Sequence, residues 1–317
     1  MTDYMLHGTT LTLVWFAVVN VAAAGAVAWI ARRVARVESP SFWFALRMLP
    51  AISAALFAIA VFVPSYSRYE PLESSEGFNV TLTLCASAVL AMCLSAAIRA
   101  ARAWSRAAAR VTMWMQSAQP LGLTYGAMPA YVVDADAPVM ALAGVFRPRL
   151  LVSRTLVGAF THEELSASLA HEVGHRRSWD NLKRLVMCGA PDALLFAPAG
   201  RFIEQRWASA AERAADRMDG DDSPSARCAL ASALVKVARL RSLQPTAGEP
   251  ISTLIGGGEI ASRVERLLDD APAVDRCRSW WPAALACVAA VAVLAASYGP
   301  ILREVHAITE TLVRTVP

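Results

Sequence analysis

The chain has 317 residues, 56% of them hydrophobic and only 18% charged, with a net charge of +4. Soluble domains carry about 25% charged residues, so this composition argues against a purely soluble protein, and its apolar content excludes a disordered one. A positive surplus this small and scattered gives no footprint for nucleic acid, so no nucleic-acid partner is expected.

Four stretches match the roughly 20 residues that a helix needs to cross a bilayer: Leu11 to Ala31, Trp43 to Val63, Val80 to Ala100 and Trp280 to Tyr298. No Lys or Arg precedes the first, which favours a retained span over a cleaved signal peptide. Arg32, Arg33 and Arg36 follow span one, Arg47 opens span two, Arg99, Arg102, Arg106 and Arg110 follow span three, and Arg276 and Arg278 precede span four. The loop between spans two and three instead carries Glu70, Glu73 and Glu76 against Arg68. Positive charge stays on the cytoplasmic side, so the N-terminus is expected outside and residues 101–279 inside. Trp43, Trp104, Trp280 and Trp281 fall at cytoplasmic ends, where an aromatic belt sits. No span shows a central acidic or paired polar site, which disfavours a transporter. The six cysteines (Cys85, Cys93, Cys188, Cys228, Cys277 and Cys287) form no metal or redox spacing and read as small hydrophobes.

Between spans three and four the pattern changes. Ala130 to Val152 is Val- and Leu-rich and alternating, divided by Asp134, Asp136 and Pro138 and by Arg147 and Pro148, which predicts two or three short strands. Thr161 and Glu164 form a capping box. The helix they open is expected to reach about Val186, with Leu165, Leu169 and Val173 on its apolar face. Leu185 to Ala199 is apolar but carries Pro191, Asp192 and Pro198; it reads as a core helix pair or a segment against the membrane face, with a re-entrant segment as the alternative. Further helices are expected over Arg201 to Met218, Ser225 to Leu243 and up to Leu268. Gly256 to Gly258 lack the Gly-Lys-Ser/Thr of a phosphate loop.

The chemistry sits in His171-Glu172-Val173-Gly174-His175. On a helix, positions i and i+4 share a face, so both imidazoles can bind one zinc ion, expected at one Zn2+ per chain. Glu172 can take a proton from the metal's water, whose pKa zinc lowers to about 7. A catalytic zinc needs a third protein ligand, and no later His has the spacing to supply it. Glu212 and Asp216 lie four apart on the next helix: Glu212 suits the zinc and Asp216 suits the outer nitrogen of a liganding imidazole. Glu204 is a weaker competitor for the metal. The alternative is a solvated acidic face running to Asp219, Asp221 and Asp222, although Ala208 to Ala211, Ala214 and Ala215 favour close helix packing.

With these residues the sequence resembles the integral-membrane zinc peptidases typified by the bacterial β-lactam-sensor antirepressor proteases, the BlaR/MecR type. The resemblance rests on Phe146-Arg147-Pro148, the capped helix with its His-Glu-x-x-His, the basic pair Arg176-Arg177, Asp180-Asn181-Leu182, then Trp207, Glu212 and Asp216, and Ser262 to Leu268. Three spans before the peptidase and one after also match. Two features depart: Phe196-Ala197-Pro198 lacks the Asn of that family's turn, and only Ile301 to Pro317 follows span four, where sensor members carry a large extracellular domain. Direct β-lactam sensing is therefore not expected. The resemblance implies Asp180 as a second outer-shell residue and a strand within Val139 to Val145 that pairs with extended substrate. Tyr125, Tyr131 and Arg213 are the candidates for stabilising the oxyanion. His162 is expected at the surface, and Arg176 and Arg177 toward solvent or headgroups.

The expectation is a mostly α membrane protein with an α+β, gluzincin-like zinc peptidase domain. Residues 1–110 hold three spans, 111–279 the peptidase, 280–298 the fourth span and 299–317 a short extracytoplasmic amphipathic tail. Its expected partners are the lipid bilayer and a protein or peptide substrate, such as a transcriptional repressor, or the enzyme itself in self-cleavage; homo-oligomerisation stays open. Rival readings are a membrane quality-control metalloprotease and a non-catalytic scaffold that keeps the fold. The intact set of His171, Glu172, His175 and Glu212 speaks against the scaffold.

Overall fold

The computed structural model describes residues 2–71, 79–125, 128–135, 138–217, 223–242, 260–269 and 281–315, with backbone alone for 123–125, 241–242 and 281–296. Among the described residues, three helical segments are long and apolar enough to cross a membrane: Thr2–Arg33, Pro40–Tyr69 and Val80–Gln116.

Helix α1 (Thr2–Arg33) has Asp3 in its first turn and Arg32 and Arg33 in its last, complementing the helix dipole at both ends. Helix α2 (Pro40–Phe57) starts at Ser39, whose hydroxyl accepts from the Phe42 amide. It passes through a π-helical turn (Ala58–Phe62) into α3 (Val63–Tyr69). Pro64 explains the turn: it lacks an N–H, and its ring excludes the carbonyl four residues back. That carbonyl, Ala60 O, accepts instead from the Tyr298 hydroxyl at 2.6 Å. Helix α4 (Val80–Gln116) is capped by the Asn79 side chain. At about 1.5 Å per residue it far exceeds a bilayer's thickness, and its last turns place Val111, Trp114 and Met115 against the sheet.

Four strands follow: β1 (Gln119–Tyr125), β2 (Met128–Val133), β3 (Met140–Ala143) and β4 (Arg149–Ser153). Their order is β1-β2-β4-β3, with β2 and β4 parallel and the other pairs antiparallel. The alternating pattern from Ala130 to Val152 thus resolves into three strands. The additional β1 contains Pro120 and Gly122, which weaken a strand pattern. One sheet face packs Ala130, Met140, Leu142, Leu150 and Val152 into the core beneath the zinc-motif helix; the opposite face carries Tyr131, Val133 and Leu151 toward α4.

The predicted long helix to Val186 is two helices. After α5 (Arg154–Ala159), α6 (His162–Arg177) ends at Ser178, Trp179 adopts φ +56°, and α7 (Asp180–Cys188) sets off anew. A left-handed residue cannot continue a right-handed helix. A 3₁₀ turn (Ala193–Phe196), α8 (Pro198–Arg217), α9 (Pro224–Ser242) and α10 (Ile260–Leu268) complete this half.

The apolar run Leu185 to Ala199 is the end of α7, the 3₁₀ turn and the start of α8, docked into the bundle of long helices. Asn20 of α1 donates to Pro191 O at 3.0 Å and accepts from the Ala193 amide at 2.9 Å. Arg99 of α4 donates to Cys188 O and Ala190 O, both at 3.3 Å. Arg47 of α2 pairs with Asp192, and with Glu204 at 2.8 Å. Arg47, at the opening of span two, is thus paired, and its partners come from a distant stretch of chain, which composition along a span does not reveal. Around this clamp, Trp43, Leu46 and Val27 pack against Ile203, Trp207 and Ala210 of α8.

Helix α11 (Trp281–Thr315) is continuous. Beyond Tyr298 it packs on α1 and α3: Ser65 donates to Leu302 O at 2.6 Å and Trp15 to Thr309 Oγ1 at 3.0 Å.

Candidate metal centre

Helix α6 is anchored at its start. Thr161 Oγ1 accepts from the Glu164 amide and Glu164 Oε2 from the Thr161 amide, the capping box expected from sequence. Glu164 also accepts from Lys236 Nζ at 2.6 Å and Ser232 Oγ at 2.7 Å, pinning α6 to α9. Burial raises this carboxyl's pKa, but Lys236, Ser232 and the Thr161 amide outweigh it and hold the value below the usual carboxylate range.

Nearly three turns on, α6 touches α8 almost backbone to backbone. A Cβ on Gly174 would lie 3.1 Å from Ala215 Cα, so glycine here sets the helix separation. That approach brings Glu212 to the two imidazoles. His171 Nε2 and His175 Nε2 are 3.2 Å apart, and they lie 3.5 Å and 3.6 Å from the Glu212 carboxylate oxygens. All three residues are buried.

The outer nitrogens are engaged from behind. His171 Nδ1 faces Asp216 Oδ1 at 3.0 Å and His175 Nδ1 faces Asp180 Oδ2 at 2.8 Å. Carboxylates there draw the proton to Nδ1 and leave the Nε2 lone pairs free. Two lone pairs and a carboxylate then converge on one point, an arrangement that repels itself without a cation. Donors about 2.1 Å from a tetrahedral centre lie about 3.4 Å apart, close to the separations seen. The residues fit a zinc ion.

The surroundings make the same demand. Glu172, Asp180, Glu212 and Asp216 crowd the two imidazoles. Burial opposes charging His175, yet Asp180 and Glu212 push its pKa up to about 10, and Asp216 and Glu212 likewise raise that of His171. Burial also works against ionised Glu212 and Asp216, but the facing histidines, and for Asp216 also Arg263, hold both below the usual range.

The break before α7 places Asp180. On an unbroken helix, residue 180 would point about 140° away from residue 175; the left-handed Trp179 swings it back onto His175 instead. Asn181 beside it donates to Leu142 O at 2.9 Å and Gly144 O at 3.0 Å. The Leu142 amide donates to Glu172 Oε2 at 2.9 Å, so the edge of β3 aims the carboxylate expected to act as base. The strand within Val139 to Val145 is thus an edge strand at the site, with the outward groups of Leu142 held by Glu172 and Asn181.

Sequence reasoning missed Arg263. This guanidinium, 2% exposed, contacts Glu212 at 3.0 Å and Asp216 at 2.6 Å. Its burial lowers the pKa, but Asp216 and Glu212 reverse that and raise it. The available signal was an arginine inside the amphipathic Ser262 to Leu268 segment, unremarkable until α10 packs beside α9.

Other candidates lie elsewhere. Glu204 pairs with Arg47, far from the histidines. Tyr131 lies on the sheet face toward α4, which removes it as an oxyanion group. Arg213 reaches toward Glu38, 3.9 Å away. The Tyr125 side chain, Asp219, Asp221, Asp222 and Gly256 to Gly258 lie outside the described residues. His162 is exposed, as expected. Trp207 is buried beneath the Arg184 guanidinium.

A cavity of about 790 Å³ runs between the far half of α4, β3, the Gly144–Arg147 turn and α7. A smaller one of about 260 Å³ reaches His175, and Leu142, Gly144 and Asn181 line both.

The model of Peptidase family M48 matches residues 105–245, a stretch that contains the His-Glu-x-x-His helix, Asp180 and Glu212. No curated protein matches the chain. The family match supports a zinc-dependent metallopeptidase over these residues.

Proposed function

We propose that this protein is an integral-membrane zinc endopeptidase that hydrolyses peptide bonds at the cytoplasmic face of a bacterial inner membrane. The observation that carries the proposal is the convergence of His171, His175 and Glu212 at 3.2 to 3.6 Å, with Asp216 and Asp180 behind the imidazoles. The arginines flanking the spans support a four-span topology with the N-terminus outside.

Zinc, when bound, supplies a Lewis acid that polarises the scissile carbonyl and acidifies water. His171, His175 and Glu212 hold it, and Asp216 and Asp180 fix the ring tautomers. Glu172, aimed by the Leu142 amide, accepts the proton of the attacking water and passes it to the leaving amine. An extended substrate lies along β3 and the adjoining cavity. The substrate is a membrane-proximal protein such as a transcriptional repressor, or a second copy of this chain. In this reading the protein resembles the sensor-type antirepressor proteases in mechanism.

A second reading, broad proteolysis of membrane proteins, draws on the large apolar-walled cavity under α4. One experiment separates the two: mapping new protein N-termini in cells carrying wild type or Glu172→Gln. Termini dependent on wild type in one regulator support signalling, and termini in many membrane proteins support quality control. Identical maps under every inducing stress tried would sink the peptidase reading.

A further inference from the structure

A second group of metal-type donors lies at the other end of the helix bundle. The first half of α1 packs there, with Leu11 and Val14 against Phe62, Tyr66 and Val305, whereas Ala24, Val27 and Ala31 pack on the metal-centre side. At that far end Glu70, which closes α3, meets His306 and Glu310 of α11, with one donor atom from each within 4.8 Å of the others. His306 and Glu310 are four apart on one helix, so they share a face by construction. Their side chains are 25% and 28% exposed and that of Glu70 is 5% exposed, so the group is reachable from solvent through His306 and Glu310. His306 Nδ1 stands 3.9 Å from Glu70 Oε2, too long for a hydrogen bond. The Tyr69 ring packs against the imidazole, with the ring centroids 5.7 Å apart. Arg314 contacts Glu310 at 3.2 Å from a side chain 78% exposed, where solvent screens its charge.

We propose that Glu70, His306 and Glu310 form a second, peripheral site for a divalent transition cation such as Zn2+ or Mn2+. Two carboxylates and one imidazole are a borderline donor set that suits such ions better than Ca2+ or Cu+. Three protein ligands leave positions for water, so the ion exchanges with the medium. The site ties the end of α3 to α11, whose neighbouring turns are already fixed by the Ser65–Leu302 and Trp15–Thr309 bonds. An ion there therefore stiffens the end of the bundle opposite the metal centre.

The test is metal stoichiometry on the full chain in nanodiscs, stripped with chelator and reloaded with Zn2+ or Mn2+. Wild type should hold two ions. A His171→Ala/His175→Ala background should hold one, released at least tenfold more readily after adding His306→Gln or Glu310→Gln. Circular dichroism and elution volume should stay unchanged. Cobalt loading of the same background supplies a spectrum that His306→Gln must alter. No ion in that background, or one that neither substitution weakens, overturns the proposal. Because this background lacks the first pair of ligands, the result is independent of whether the centre at His171 is catalytic.

Discussion

Arg47→Met should destabilise the protein by about 3–5 kcal/mol. The Arg47 and Asp192 side chains are 2% and 0% exposed, so removing the guanidinium strands a buried carboxylate, and breaking one side of such a pair costs about that much. The lost contact to Glu204, whose side chain is 44% exposed, adds at most about 1 kcal/mol. Methionine keeps most of the stem's volume, so the cavity contribution is small. Adding Asp192→Asn removes the stranded charge, and the double variant should recover about 2 kcal/mol or more, a coupling within the range for contacting residues. The assay is unfolding of the full chain in mixed micelles with rising SDS, followed by tryptophan fluorescence. Zinc retention should fall in parallel, because the turn held by Arg47 joins α7, which carries Asp180, to α8, which carries Glu212. A single variant within about 1 kcal/mol of wild type, or a double variant no better than the single, would refute the reasoning.

Asp180→Asn and Asp216→Asn should each weaken zinc binding about 10–100-fold with the fold intact, as loss of a carboxylate behind a liganding imidazole does elsewhere; competition with a chromogenic chelator measures it. Gly174→Leu should drive α8 from α6 and lower zinc occupancy, since even a Cβ there meets Ala215 at 3.1 Å; metal analysis of purified protein checks this. Glu164 gives a pH signature. Its folded pKa is depressed, so its stabilisation is complete above its unfolded value of about 4.3 and is lost as pH falls through the lower folded value. Lys236→Met should therefore lower the thermal midpoint at pH 7, and the gap from wild type should narrow in acid below about pH 4. A constant gap across that range would contradict the assignment.

The features legible along the chain follow from short-range geometry. His171 and His175 share a face because a helix repeats every 3.6 residues, and Glu212 and Asp216 share one for the same reason. Apolar runs of bilayer length announce long helices whatever they pack against, and Thr161 with Glu164 marks a helix start through bonds spanning three residues. Packing in three dimensions set the rest, which depends on distance in space. It brought Arg263 between Glu212 and Asp216, stopped α6 at a left-handed Trp179 so that Asp180 could turn back to His175, and set Asn20, Arg47 and Arg99 around one turn of the opposite half. None of these contacts has a period or a spacing. Each joins segments whose separation is fixed only when Gly174 meets Ala215 and the long helices close around Asp192, so a buried charge finds a partner that local pattern does not name.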